Sequence, residues 1–245
     1  MAKFLTILLA EAAIEPFPEE LLKDIQARQY LSKMKKSANE VLLDMSYHSH
    51  LVEKLPDAEK RGRPDIVHFA LLSCFGSILA RDHRLNVKIH TYHDKIIQLH
   101  PDIRLPKNID RFNGLLIQLF KEKQVPPDSQ EPLMTLSDSS LSDYVNELKN
   151  KHDFVLEFSV KGEQMSSSEY SELIHEATNP LLIFGAYPQG ELRGLTDNLV
   201  DRKIAIYEEG LDLFAVISQI LASQQMIEEK LAKMNLSGEE KLSWE

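Results

Sequence analysis

Four cations of this chain fall into two short motifs marked by proline. Arg63 stands directly before Pro64-Asp65-Ile66-Val67-His68, and Arg104-Leu105-Pro106-Lys107-Asn108-Ile109-Asp110-Arg111-Phe112 carries the other three. A residue before proline avoids the helical region, whereas proline suits a first helical position. Arg63 therefore belongs to the head of a helix with Asp65 in its first turn. The run Lys60-Arg61-Gly62-Arg63 sets two arginines on that fixed loop, an arrangement suited to holding anions. In the second motif Asn108 or Asp110 can cap a helix over 111–121. Arg104, Lys107 and Arg111 then lie within one loop and one helical turn and can converge on a single phosphate ladder. A cation in a first turn opposes the helix dipole, which favours a functional reason for Arg111.

The other stretch with chemical potential is Leu181-Leu182-Ile183-Phe184-Gly185-Ala186-Tyr187-Pro188-Gln189-Gly190-Glu191-Leu192. An apolar strand stops at Gly185, and a turn rich in Gly and Pro follows. A second apolar strand, Lys203-Ile204-Ala205-Ile206-Tyr207, breaks into Glu208-Glu209-Gly210, and a long apolar helix starts near Leu211 and runs to about Met234. Two strands ending in loops with a helix behind them form a crevice at the strand C-termini, where open α/β sheets bind ligands. Two tight turns with no ligand fit the same pattern. Other chemistries lack their signatures. His48-x-His50 and His90-x-x-His93 have no cysteine nearby, so no metal site is expected. Gly-x-Ser-x-Gly, Gly-x-x-x-x-Gly-Lys-Ser/Thr and Gly-x-Gly-x-x-Gly are all absent. Cys74, the single cysteine, lies in an apolar run and reads as a buried, inert thiol.

These residues need a scaffold, and 245 residues with 43% apolar and 27% charged content suffice for one large globular domain. The net charge of −10 argues against coating by nucleic acid. Its distribution is uneven: residues 54–123 hold thirteen Lys/Arg against eight Asp/Glu, so a basic middle sits in an acidic chain. No apolar run approaches the roughly 20 residues of a membrane span, and the run from Phe4 to Leu9 is too short for a signal-peptide core. The protein is expected to be intracellular.

In chain order, the patterning predicts a buried strand over 4–12 and a helix over 19–36. A short second strand follows over 40–45, then a buried helix over 66–79. A small hairpin over 85–100, with 101–109, reads as an insertion rather than part of a parallel sheet. A proline-rich surface loop spans 125–136. An amphipathic helix over 137–149, a strand over 153–160 and a helix capped at Ser166 lead into the Leu181 strand. The tail from Asn235 is mostly polar, with Leu236, Leu242 and Trp244 as its apolar residues.

The two basic motifs, then Ile183-Phe184-Gly185-Ala186 with Gly190, then the stretch from Ile206 to Leu211, occur in the order found in one family. The chain resembles the small-subunit ribosomal RNA pseudouridine-N1-methyltransferases, ribosome-biogenesis members of the SPOUT class, over nearly its whole length and in their archaeal form. That resemblance implies one SPOUT domain over 1–245, a parallel α/β sheet flanked by helices with a C-terminal deep trefoil knot. It also allows for a small inserted β-containing subdomain over about 84–110 that contributes to RNA binding. It implies S-adenosylmethionine as cofactor, held by Gly185, Gly190, Glu191, Leu192, Ile206, Tyr207, Glu208, Glu209, Gly210 and Leu211. Arg63, Arg104, Lys107 and Arg111 would bind RNA. Arg63 and Asp65 would serve at the reaction, with Asp65 either bracing the arginine loop or facing the target base. The implied protein is a cytoplasmic homodimer, with no metal and no membrane, that methylates N1 of a pseudouridine in 16S-type RNA. A non-catalytic RNA-binding assembly factor with a vestigial cofactor pocket is the alternative. The Tyr207-Glu208-Glu209-Gly210 loop departs from relatives, which commonly place Ser and a Tyr-Pro pair there.

Overall fold

The computed structural model describes residues 4–242, with the backbone alone at 232 and from 234 to 242. The expectation for Trp244 falls outside the described residues. The chain begins with β1 (Leu5–Ala12), which is buried along its whole length. A 3-10 turn over Glu19–Lys23 precedes α1 (Ile25–Met34) and α2 (Met45–Val52). The expected single helix over 19–36 is broken at Asp24, whose extended backbone and side chain cap α1 through the Gln26 amide at 2.7 Å. The expected strand over 40–45 does not form. Leu42 makes only a lone bridge to Pro16, and Asp44 caps α2 through the Ser46 amide. The apolar residues Val41 and Leu43 instead join Phe17, Leu21, Leu31, Leu51 and Val52 in a small core of their own, so 14–62 is a helical lobe beside the sheet.

The buried helix expected over 66–79 is two helices. α3 (Pro64–Gly76) starts with Pro64 at its first position, and α4 (Ile78–Arg81) follows with Ser77 as its cap. Then come β2 (Leu85–Thr91) and β3 (Lys95–Leu99), α5 (Ile109–Glu122), β4 (Gln124–Val125), β5 (Met134–Asp138) and α6 (Leu141–Lys149). The last part holds β6 (Phe154–Gln164), α7 (Ser167–Glu176), β7 (Pro180–Gly185), β8 (Arg202–Ala205) and α8 (Leu213–Leu242). α8 thus continues beyond Met234 into the expected polar tail. The 125–136 stretch, expected to be all loop, contributes to β4 and β5 at its ends.

One sheet carries the strands in the order β4-β5-β3-β2-β1-β7-β6-β8. The hairpin β2–β3 forms as expected, yet it is no insertion outside the parallel sheet: β2 pairs in parallel with β1 from Leu85↔Leu5 to Ile89↔Leu9. Leu85, Val87 and Ile89 join the main core from a fully integrated strand, which explains their alternation. β1 shows the same period: Ile7 and Leu9 face a core built with α3, α5, α7 and α8, while Leu8 and Ala10 face α6.

β7, β6 and β8 run parallel, so their C-terminal ends share one edge. β6 bends around its neighbour: Phe158 and Glu163 both pair with Ile204 of β8. At the bend a Cβ on Gly162 would stand 2.4 Å from the Ile204 carbonyl carbon, so only glycine permits this crossing.

Candidate cofactor pocket and basic groove

A cavity of about 350 Å³ opens at the C-terminal ends of β7 and β8, beside Phe158–Val160 in the middle of β6. Gly185, Ala205, Ile206 and Gly210 line it, the glycines necessarily by their backbone, and Phe158, Leu213 and Val216 give it apolar walls. Phe158 stacks on Phe184 with ring centroids 4.5 Å apart, which stiffens the floor. Tyr187 folds back over Gly185: a Cβ there would meet the ring 2.7 Å away. Burial pushes the Tyr187 phenol well up, with the Glu11 carboxylate adding to the shift. Of the ten residues expected at a cofactor, Gly185, Ile206, Tyr207, Glu209, Gly210 and Leu211 line this cavity. Gly190, Glu191, Leu192 and Glu208 do not. Gly190 and Glu191 are exposed on the far side of the loop, Leu192 packs on the α6 face of the sheet, and Glu208 is exposed.

Arg63 lines the same cavity from the head of α3. Its guanidinium meets Asp65 in a two-pronged ion pair, Nε–Oδ1 and Nη2–Oδ2 both 2.8 Å. Burial alone would raise the Asp65 carboxyl, but the Arg63 pair outweighs it and holds the group below the usual carboxylate range. Asp65 in turn raises Arg63. So the geometry joins the two residues as expected and makes Asp65 a brace with little basicity.

Arg61 departs from expectation. It is 1% exposed and turned away from any anion site. Its Nε and Nη2 meet Glu15 at 2.8 and 2.7 Å, and its guanidinium lies 5.0 Å from the centre of the Tyr92 ring. Gly62, at φ +68, reverses the chain between Arg61 and Arg63, which sends their side chains to different places. Lys60, also 1% exposed, contacts Glu11 and the Glu191 carbonyl, with its ammonium 4.2 Å from the centre of the Tyr187 ring.

The second basic motif forms another site. A groove of about 620 Å³ runs between the C-terminal half of α3 and the 101–107 loop. Arg81, His83, Arg104 and Lys107 stand on its rim, and Leu72 and Phe75 lie in its floor. Arg104, Lys107 and Arg111 are exposed. Among the described residues their side chains hold no ion pair, so all three remain available to phosphates. They do not all meet at one place, since Arg111 lies outside the groove on the first turn of α5. Asn108 caps that turn through the Arg111 amide at 3.0 Å, as its position suggested.

Several residues at these sites carry little or no signal in the sequence. His68 accepted no role, yet its Nε2 lies 2.7 Å from the Pro106 carbonyl and its ring stacks on Phe112 at 4.5 Å. It fastens the second motif to α3. Glu11 carried one signal, a lone charge inside an apolar strand. Lys60 carried none, because a lysine in a charged run looks solvated.

The chain matches the model of the EMG1/NEP1 methyltransferase family over residues 7–225. It is 33% identical over 225 residues to the ribosomal RNA small subunit methyltransferase Nep1 of Pyrococcus furiosus, covering 92% of this chain and 98% of that one. Its identity to the Nep1 methyltransferase of Methanothrix thermoacetophila is 36% over 222 residues, covering 90% and 95%. The crystal structure of Archaeoglobus fulgidus Nep1 bound to S-adenosylhomocysteine superposes with a TM-score of 0.77 at 28% identity, covering 94% of this chain and all of that one.

Proposed function

Because the chain belongs to the EMG1/NEP1 methyltransferase family, we propose that the cavity beside Gly185 is its cofactor site and that Arg63 presents a base of small-subunit ribosomal RNA to it. The protein is an S-adenosylmethionine-dependent small-subunit rRNA methyltransferase. The observation that carries the assignment of roles is that Arg63 lines one cavity together with Gly185, Ile206, Tyr207, Glu209, Gly210 and Leu211.

The cavity's donors suit the cofactor. Backbone groups bared at Gly185 and Gly210 can meet the polar edge of an adenine, and Phe158, Leu213 and Val216 can cover its faces. When bound there, S-adenosylmethionine supplies an electrophilic methyl group. The chain's own contribution is position and charge. Asp65 holds the Arg63 fork at the mouth, so that its positive charge is fixed before the substrate arrives. We assign N1 of a pseudouridine as the acceptor. That nitrogen gives up its proton to solvent water, and Arg63 stabilises the anion that develops across the adjoining imide. The lowered Asp65 carboxyl makes a poor base, so its part is to hold Arg63. The base must leave its stack to reach the cavity, since A-form grooves hide base edges. Arg104, Lys107 and Arg111, with Arg81 beside them, would hold the flanking phosphates. This gives the 84–110 stretch a part in RNA binding through its 101–107 loop, while β2 and β3 stay within the sheet.

Two features of architecture belong to the same reading. The register break by which Phe158 and Glu163 of β6 both face Ile204, with room only for glycine at 162, supports a knotted C-terminal part. Val160, Tyr207 and Leu211 line the pocket and are exposed, and exposed Phe214, next to the lining Leu213, meets exposed Phe69 at 5.9 Å, an apolar face that supports a homodimer closing over the pocket. No helix among the described residues is long and apolar enough to cross a membrane.

The test pairs calorimetry with S-adenosylmethionine and a methylation assay on matched hairpins containing pseudouridine or uridine. Turnover on the pseudouridine hairpin alone is expected. Equal turnover on both would remove the N1 assignment, and binding without turnover on either would favour the assembly-factor role. Arg111→Ala should weaken RNA binding and leave cofactor affinity unchanged; a loss of cofactor binding would overturn the division of sites.

A further inference from the structure

We propose that Lys60, a buried cation outside the pocket wall, is the positioning residue that shapes the cofactor loop over 187–193. The inference rests on the reading of the Gly185 cavity as the cofactor site. An ammonium has three N–H donors and no acceptor, so a buried one must be surrounded. Lys60 meets three groups: the Glu11 carboxylate, the Glu191 carbonyl and the face of Tyr187 at 4.2 Å. Two of the three belong to the loop. Tyr187 is also the ring that lies over Gly185 and lines the cavity.

Glu11 completes the grip. Its second oxygen accepts the Arg193 amide at 2.6 Å. Lys60 and Glu11 therefore hold the loop on both sides of Leu192, one by a carbonyl and one by an N–H. Glu11 is itself fixed at φ +47, where its amide donates to His90 Nδ1 at 3.3 Å and His90 Nε2 meets Asp94 at 2.9 Å. Farther out, Asp57 pairs with the Arg193 guanidinium, and the Gln189 amide reaches the Glu59 carbonyl at 3.3 Å. The residues from 57 to 60 thus run alongside the loop and clasp it.

Gly190 agrees with this arrangement. Its φ of +108 suits glycine, and a Cβ there would stand 3.1 Å from Lys60 Cε. The glycine leaves room for the lysine stem, which accounts for its place in a loop whose tip does not line the cavity. Lys60 also lies three residues before Arg63, joined to it through the Gly62 turn. One short segment thereby sets the cofactor loop at one end and the substrate-facing guanidinium at the other.

The experiment titrates S-adenosylhomocysteine and an RNA hairpin into the wild-type chain, Lys60→Met and the double variant Lys60→Met/Glu11→Gln, each melted in parallel. The double variant leaves no buried carboxylate without a partner, the main hazard of the single change. The expected result is a loss of roughly tenfold or more in S-adenosylhomocysteine affinity in both variants, with RNA affinity unchanged. KM for S-adenosylmethionine should rise with that loss while kcat at saturation stays within about twofold, the mark of lost ground-state binding. Folded variants that bind S-adenosylhomocysteine as the wild type does would overturn the inference alone. No binding by the wild type would overturn the pocket reading with it. Loss of cooperative melting in both variants would make the pair scaffold and also overturn the positioning role.

Discussion

At the N-terminal end of α3, Lys60 and Arg61 are each 1% exposed and tied to a buried carboxylate, whereas at its C-terminal end Arg81, Arg104 and Lys107 are exposed, with no ion pair among the described residues. Both clusters look alike as strings of positive residues. A buried charge must be matched in place, so it specifies geometry; an exposed, unmatched charge is left free for a polyanion. Arg63 stands between the two cases, half-exposed and braced by Asp65 while still lining the cavity.

The comparison breaks most easily at Arg61. Arg61→Met would leave the Glu15 carboxylate, 2% exposed, with only His93 Nε2 at 2.7 Å as a partner, and should cost about 3 kcal/mol of stability. Thermal melting checks this, and a melting point near wild type would remove the structural role. Arg63→Ala should do the reverse. A fall in kcat of roughly 10²- to 10³-fold is expected if it stabilises the developing anion, with melting little changed. Single-turnover assays decide that case.

Smaller effects sharpen the other end. Arg104→Ala combined with Lys107→Ala should weaken RNA binding about tenfold or more and flatten its salt dependence by roughly 0.7 per lost phosphate contact on single strands. Filter binding across a salt series measures both, and an unchanged slope would place those cations off the RNA path. His68→Leu removes the donor to the Pro106 carbonyl and should weaken RNA binding roughly fivefold, about 1 kcal/mol. Cofactor affinity should hold, and His68→Gln should recover part of the loss by restoring a donor.

The smallest effect concerns neither cluster. His48 is buried between Phe17 and Tyr30, and burial, the largest cause, holds its imidazole below the ordinary 6.5. The folded chain keeps it neutral while the unfolded chain takes up a proton near 6.5. The stability it contributes is therefore complete above that value and is withdrawn as pH falls below it. Melting should drop between about pH 7 and 5.5, and drop less in His48→Phe, with His90 and His152 shifted in the same direction for the same first cause. A pH profile identical in both proteins would clear His48 of the effect.

Much of this was legible along the chain. β1 was readable because every residue in it is apolar or small until Glu11, and α3 because Pro64 marks its first turn. Spacing placed Arg63 and Asp65 at the head of one helix, and the family resemblance offered the brace between them as one of two roles for Asp65. The 40–45 stretch misled because its apolar residues serve the lobe's separate core, where no neighbouring strand was available to pair. The 85–100 hairpin misled for a related reason. Alternation reports which face is buried, and says nothing about which strand lies alongside.

Local patterning decided many of the elements, β1, α3 and α5 among them, and caps such as Asn108 and Ser166. Those follow from backbone sterics and from the period of apolar residues, both of which act over a few neighbours. Tertiary structure alone decided which charges are inward. Lys60, Arg61 and Arg63 sit within four residues, and their fates differ because Glu11 and Glu15 lie on one side of the Gly62 turn and the open cavity on the other. It also decided that Gly190 receives a lysine stem, since close approach between residues 130 apart leaves no mark on either stretch.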